Sequence, residues 1–232
     1  MKIAILYVCT GKYEIFWKDF YLSCEKNFIE GAEKTYFIFT DSVEVYDEKN
    51  NPNIQKIFQK DIGWPFNTLK RYEMFSRLAD KLKDFDYTFF FNANLLFIEK
   101  ITEEEFLPKN NERLLGVIHP GFYNTPKNTW PYELDSKSTA VIDINKAQYY
   151  YQGAINGAQT KEFLQAIKTL KNNTCTDLEN NIIALWHDES QWNKYLSENK
   201  NIVKSLSPSY LYPENSNLPL QPKIFIRNKE KH

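Results

Sequence analysis

Glycine is scarce in this chain, at 7 of 232 residues, about 3% against roughly 7% in an average protein. No G-x-G-x-x-G and no G-x-x-x-x-G-K-[ST] run is present, so any phosphate binding works without a glycine-rich cradle. Histidine and cysteine are as sparse, at three each. His119, His187 and His232, with Cys9, Cys24 and Cys175, form no C-x-x-C and no H-E-x-x-H, which argues against a structural or protease-type zinc site. An odd number of scattered cysteines fits reduced thiols better than a disulfide framework. No window approaches roughly eighteen apolar residues, so no transmembrane segment is expected. The apolar run from Ile3 to Val8 is too short for a signal peptide. A net charge of −1 gives no case for nucleic acid. Together these absences lead us to expect a soluble, cytoplasmic protein.

Aromatic residues are abundant: 5 Trp, 15 Tyr and 17 Phe make up 16% of the chain. With 42% hydrophobic and 25% charged residues the composition is globular, and the length allows a substantial core. Lys2–Cys9 and Tyr36–Phe39 are continuous apolar runs of strand length, as expected of strands covered on both faces. Ile54–Phe58 and Tyr87–Phe91 read the same way, and Leu114–Ile118 and Tyr149–Ala154 are further strands. Phe16, Phe20, Cys24 and Phe28, at steps of four, predict a helix over 13–28. Tyr72, Phe75, Leu78, Ala79 and Leu82 predict another over 69–82, and helices are expected over 161–170 and 189–198. Asn172-Asn173-Thr174, a glycosylation-type triplet, reads as a turn. This alternation predicts an α/β protein with a mostly parallel sheet flanked by helices, and ligands at the carboxyl ends of its strands. No linker divides the chain, which reads as a single domain over 1–232.

Several polar residues fall at those strand ends. Asn92-Ala93-Asn94 follows a buried strand abruptly. A pair of Asp there would suit magnesium or manganese, but neutral amides are poor ligands for hard cations, and the plainer reading is a turn. Trp186-His187-Asp188-Glu189-Ser190 packs an aromatic, an imidazole and two carboxylates together. Asp188 or Ser190 could cap the following helix, or a carboxylate could stabilise an oxocarbenium-like transition state. His119-Pro120-Gly121 is a strand end that turns sharply. Gln152-Gly153-Ala154 would let a ligand approach the backbone. Lys70, Arg71 and the basic tail Lys223–His232 are candidate phosphate contacts.

The order of these pieces is more specific than any one of them. Phe39-Thr40-Asp41, Arg71-Tyr72-Glu73-Met74, Asn92-x-Asn94, His119-Pro-Gly-Phe-Tyr123, Tyr150-x-Gly-Ala154 and Trp186-His-Asp-Glu-Ser190 follow one another along the chain. It resembles glycosyltransferase family 6, the group that contains the histo-blood-group A and B transferases. The resemblance implies a GT-A fold, a UDP-sugar donor and α-1,3 transfer with retention. It divides the chain into a mainly UDP-binding half (1–94), a mainly acceptor and sugar half (95–220) and a basic tail (221–232). By position, Tyr13 would stack on uracil and the backbone near Val8 and Cys9 would bond the uracil edge. Arg71 and Asp188 would hold the donor sugar, His119 and Trp186 would line the acceptor or sugar pocket, and Glu189 would face the reacting carbon. Vertebrate members carry a membrane anchor and stem, which this chain does not show, so a bacterial catalytic domain is expected.

Asn92 and Asn94 depart from the Asp-x-Asp and manganese of the animal members, so no manganese or magnesium cofactor is expected. The tail lysines, Lys231 foremost, are expected to fold over the diphosphate instead. Gln152 and Ala154 fall where the blood-group enzymes choose their sugar, and match neither enzyme's pair. Gln152 can donate to an acetamido oxygen, which favours UDP-GalNAc over UDP-galactose, with a fucosylated galactoside as acceptor. The rival reading is an inactive nucleotide-sugar or glycan-binding module, against which the presence of Glu189, His119 and Arg71 weighs.

Overall fold

The computed structural model describes residues 1–231, so the tail's last residue, His232, lies outside the described residues. In chain order come β1 (Lys2–Val8), α1 (Trp17–Asn27), β2 (Glu33–Thr40), β3 (Ile54–Phe58), α2 (Phe66–Leu69), α3 (Arg71–Ser76) and α4 (Ala79–Leu82). They are followed by β4 (Tyr87–Asn92), β5 (Leu95–Phe97), α5 (Glu103–Phe106), β6 (Leu114–Ile118), β7 (Tyr151–Gln159) and α6 (Thr160–Glu179). The chain ends with α7 (His187–Glu198), β8 (Val203–Leu206), β9 (Tyr212–Pro213) and β10 (Ile224–Ile226).

The apolar runs of β1, β2 and β4 are continuous because both faces of the sheet are covered. Ile3, Ile5 and Tyr7 pack on one side with Trp17, Phe20 and Cys24 of α1. Ala4 and Leu6 pack on the other with Tyr72, Phe75, Leu82 and Trp192. The sheet has seven strands in the order β3-β2-β1-β4-β7-β6-β8. Every pairing is parallel except those of β7, which runs antiparallel to β4 and β6. The expected α/β architecture is therefore present. Chain order reverses between β1 and β4, where Val8 pairs with Asn92, and such a switch point is where open α/β sheets bind ligands. Because β7 is reversed, its first residues lie at that same edge.

Several elements differ from the pattern read along the chain. Residues 11–16, at the start of the predicted helix over 13–28, form a 3₁₀ turn before α1 begins at Trp17. The segment 69–82 is not one helix. Arg77 N donates to Met74 O and Leu78 N to Phe75 O, three-residue spacings that tighten the backbone and separate α3 from α4. The glycosylation-type triplet lies inside α6, not in a turn. Neither Asp188 nor Ser190 caps α7 from outside, because the helix already begins at His187. Instead Ser190 Oγ accepts a hydrogen bond from Trp186 N (2.9 Å). The basic tail is not a free extension: Ile224–Ile226 forms the central strand of a small sheet with β5 and β9.

The strand expected over 149–154 runs instead from Tyr151 to Gln159, and the small residues Gly153, Ala154, Gly157 and Ala158 leave it no apolar alternation. Their size is what the packing needs. A Cβ on Gly157 would overlap the fully buried Phe89 ring of β4. Gly157→Ala is therefore expected to destabilise the fold by about 1–3 kcal/mol. Urea unfolding should show a lower midpoint at unchanged slope, and an unshifted midpoint would contradict this packing.

Candidate functional site

A pocket of about 170 Å³ opens beside the switch point, lined by Thr68, Arg71, Asn92, Gln152, Gly153, Ala154 and Trp186 to Glu189. It brings together seven residues singled out from the sequence: Arg71, Asn92, Gln152, Ala154, Trp186, Asp188 and Glu189. Gly153 and His187, members of two motifs noted in the sequence, also line it, and Thr68 lines it without having been singled out. His187 has φ +53°, uncommon for a residue with a side chain, and its ring meets Trp64 edge-on at 5.3 Å.

Asp188 and Glu189 open α7 side by side, and successive helical residues point about 100° apart. Asp188 turns inward and is buried against Arg71 in an ion pair that joins α7 to α3. The Arg71 guanidinium lies 4.2 Å from the Phe90 ring centroid, and its buried Nε has no partner among the described residues. Burial pushes the Asp188 pKa up, and the Arg71 charge pulls it back.

Glu189 faces the pocket with both oxygens occupied. Tyr150 Oη donates to Oε1 (2.6 Å) and Gly153 N to Oε2 (2.7 Å). Burial pushes its pKa up to about 7 against the lowering effect of those two bonds. The close fit needs glycine at 153, where a Cβ would stand 3.0 Å from Glu189 Cβ. Asn193, one turn further along α7, clamps the helix to β7. Its Oδ1 accepts from Tyr151 N (2.8 Å), and its Nδ2 donates to Tyr151 O (2.7 Å) and Glu189 O (3.0 Å). The signal for Asn193 lay in its spacing, four residues after Glu189.

Other expected residues stand further off. His119 is absent from the pocket lining and reaches it through Tyr150, whose ring centroid is 5.6 Å away. Burial holds its pKa down to about 4, and Nδ1 accepts from Gly121 N (2.9 Å), so the neutral ring carries its proton on Nε2. Cys9 is buried within the sheet. Its amide donates to Phe39 O (2.9 Å) and its carbonyl accepts from Thr40 Oγ1 (2.8 Å), which leaves only a second lone pair on that carbonyl for a ligand. Tyr13 sits half-buried beyond the end of β1, with the Lys12 ammonium 5.9 Å and the Lys229 ammonium 5.0 Å from its ring centroid. Loss of water around the Lys229 ammonium, then the charges of Arg71 and Lys12, push its pKa down. Lys229, itself exposed like Lys231, therefore shares the field of the pocket through Arg71 and Lys12.

Asn92 and Asn94 are not a simple turn. Asn92 Nδ2 donates to Asn94 Oδ1 (3.0 Å), and the buried Asn94 donates from Nδ2 to Arg227 O (2.6 Å). Arg227 N returns a bond to Asn94 O (2.9 Å), and Arg227 pairs with Asp19 at 2.8 Å. The amides thus tie the tail to the switch point. Among the described residues, no three His, Cys, Asp or Glu side chains group closely enough to hold a metal ion.

A buried acid facing a small pocket at the switch point of an α/β sheet marks a candidate active site without fixing its chemistry, and comparison with known proteins makes the class specific. The sequence pattern of glycosyltransferase family 6 matches residues 1–230, and the chain belongs to that family. It is 40% identical over 231 residues to the O-antigen biosynthesis glycosyltransferase WbnI of Escherichia coli, covering 100% of this chain and 96% of that protein. It is 28% identical to globoside alpha-1,3-N-acetylgalactosaminyltransferase 1 of Gallus gallus, over 97% of this chain and 65% of that protein. It is 29% identical to histo-blood group ABO system transferase 1 of Rattus norvegicus, over 91% and 61% respectively. The chain thus spans less than two thirds of these two animal relatives. The protein is a glycosyltransferase.

The lock between Asn94 and Arg227 yields a test. Asp at position 94 would turn a carboxylate oxygen toward the Arg227 carbonyl, setting acceptor against acceptor. Asn94→Asp is expected to cost about 1–3 kcal/mol of stability, read as a lower denaturation midpoint; unchanged stability would remove the tethering role.

Proposed function

We propose that the enzyme is a retaining α-1,3-N-acetylgalactosaminyltransferase that moves GalNAc from UDP-GalNAc to a 2′-fucosylated galactoside without a metal ion. The observation that carries the reading is Glu189, a pocket-lining carboxylate held by the neutral donors of Tyr150 and Gly153, while its neighbour Asp188 is paired with Arg71. In the transfer, the bond between the anomeric carbon and the UDP oxygen breaks. The acceptor's 3-oxygen forms the new bond on the same face, and its proton leaves with the departing phosphate. Positive charge that builds on the sugar is met by Glu189, as nucleophile or as ion-pair partner, and either role needs the ionised form. With Asp188 held in its ion pair, Glu189 alone is left to act, which disfavours glycosidase chemistry, where two acids are used.

Donor contacts follow the same residues. Arg71, with its unpaired Nε, suits a sugar or phosphate oxygen. Tyr13 offers its ring to uracil, and Lys12, Lys229 and Arg71 supply positive charge for the diphosphate. The pair Asn92 and Asn94 does not suit a divalent cation, because neutral amides replace charged oxygens and Asn94 is engaged with Arg227. Gln152 accepts from Ala154 N (2.9 Å) through Oε1, which leaves Nε2 as the end that can donate to an acetamido oxygen. The name of the Gallus gallus relative, an alpha-1,3-N-acetylgalactosaminyltransferase, agrees with GalNAc as donor.

The deciding experiment measures UDP release from UDP-GalNAc with a 2′-fucosylated galactoside, with and without EDTA. Equal turnover in both is expected. Loss with EDTA would refute metal independence, and no turnover in either would favour the binding-module reading.

Glu189 makes a sharper prediction. Gln can keep both contacts by accepting from Gly153 N and donating to Tyr150 Oη, so donor binding should survive in Glu189→Gln. Its kcat should fall on the order of a hundredfold or more. In the wild type, kcat should drop as pH falls through about 7, where Glu189 takes up a proton and loses its charge, and should level off above. A fully active variant, or a flat profile from pH 5 to 8, would rule out the proposed role.

A further inference from the structure

Leu134, Ile183, Leu185 and Trp186 are each between 48% and 69% exposed. Single exposed apolar residues need no explanation, but these four converge. Buried Glu133 accepts from Leu185 N through Oε2 (2.7 Å) and from Asp135 N through Oε1 (2.8 Å). One carboxylate therefore fixes the backbone on either side of Leu134 against the strand of chain that leads into α7. Ile142 N adds a bond to Glu133 O (3.1 Å). Within that strand Ala184 is buried while Ile183 and Leu185 point outward. Trp186, the next residue, belongs at once to this ridge and to the pocket that holds Glu189. A rigid apolar ridge thus runs directly from the mouth of the sugar pocket.

We infer that this ridge is a subsite for an apolar aglycone, so that the enzyme's acceptor is an amphiphilic galactoside whose chain lies along Leu134, Ile183 and Leu185. The inference rests on the acceptor being a galactoside, as proposed above. Continuity carries the choice of occupant. Trp186 lines the pocket beside Glu189 and is itself half exposed next to Leu185, so a group carried by a sugar in that pocket and leaving it over Trp186 would meet Leu185 and Leu134. Contiguous exposed apolar surface beside a site marks recognition of an apolar partner.

The test compares the 2′-fucosyl galactosides with a methyl and an octyl aglycone, both below micellar concentration. The wild type should show a KM for the octyl compound lower by about tenfold or more. In Leu134→Ser/Leu185→Ser that preference should shrink to about twofold, while turnover of the methyl compound stays unchanged. Isothermal titration with the same pair reads the ridge without turnover. Equal affinity for both compounds would overturn the subsite even if transfer is rapid. Transfer to neither, with tighter binding of the octyl compound retained, would overturn the proposed reaction and leave the subsite standing. Equal handling of both glycosides, with phosphatidylcholine vesicle binding that the double substitution abolishes, would make the ridge a membrane contact and refute the inference.

Discussion

The buried ion pair between Arg71 and Asp188 joins the two halves of the chain beneath the pocket. Arg71 comes from α3 and lies on Phe90 of β4, while Asp188 opens α7. Removing either partner would leave an uncompensated buried charge, a change that typically costs about 3–5 kcal/mol. The pair thereby sets where α7 begins, and α7 carries Glu189. Arg71 is a structural tether as well as a candidate donor contact, since its ion pair with Asp188 uses Nη1 and its buried Nε has no partner among the described residues.

Two adjacent acids perform different tasks because one helical step separates their directions. Asp188 is neutralised by Arg71, and Glu189 meets only neutral donors from Tyr150 and Gly153. Both stand in the first turn of α7, where the helix dipole favours negative charge. Burial outweighs that effect at Glu189 and brings its pKa to about 7. The resulting carboxylate is weakly solvated, so charge developing on a sugar beside it would be felt strongly. Asn193 and the absence of a side chain at Gly153 keep this geometry tight.

Much of this was legible in the sequence where one force dominates. The buried strands β1, β2 and β4 announce themselves as continuous apolar runs, and Trp186 to Glu189 stand out by chemistry. Other features were hidden for physical reasons. β7 carries glycines where a neighbour presses on the strand, Phe89 at Gly157 and Glu189 at Gly153, and no periodicity encodes that. The segment 69–82 keeps a helical apolar stripe although its backbone tightens between α3 and α4, because burial of Tyr72, Phe75 and Leu82 is satisfied by several short turns. The tail reads as solvated charge, yet Arg227 is buried. Its partners Asp19 and Asn94 lie more than a hundred residues away, beyond any local pattern.

Asn94 shows why a motif changes meaning with its surroundings. An aspartate pair at a switch point gathers negative charge that a divalent ion offsets. Amides have donors as well as acceptors, and here Asn94 uses a donor to grip the backbone of the tail. That grip places the chain just before Lys229, whose ammonium then reaches the Tyr13 ring and the field of Arg71. The exchange of carboxylate for amide therefore does two things at once: it weakens the case for a cation between the strands and brings the Lys229 ammonium to the Tyr13 ring. In a chain with few glycines and no phosphate cradle, positive charge held by such a tether would, in the proposed reaction, be the counterpart of a departing diphosphate.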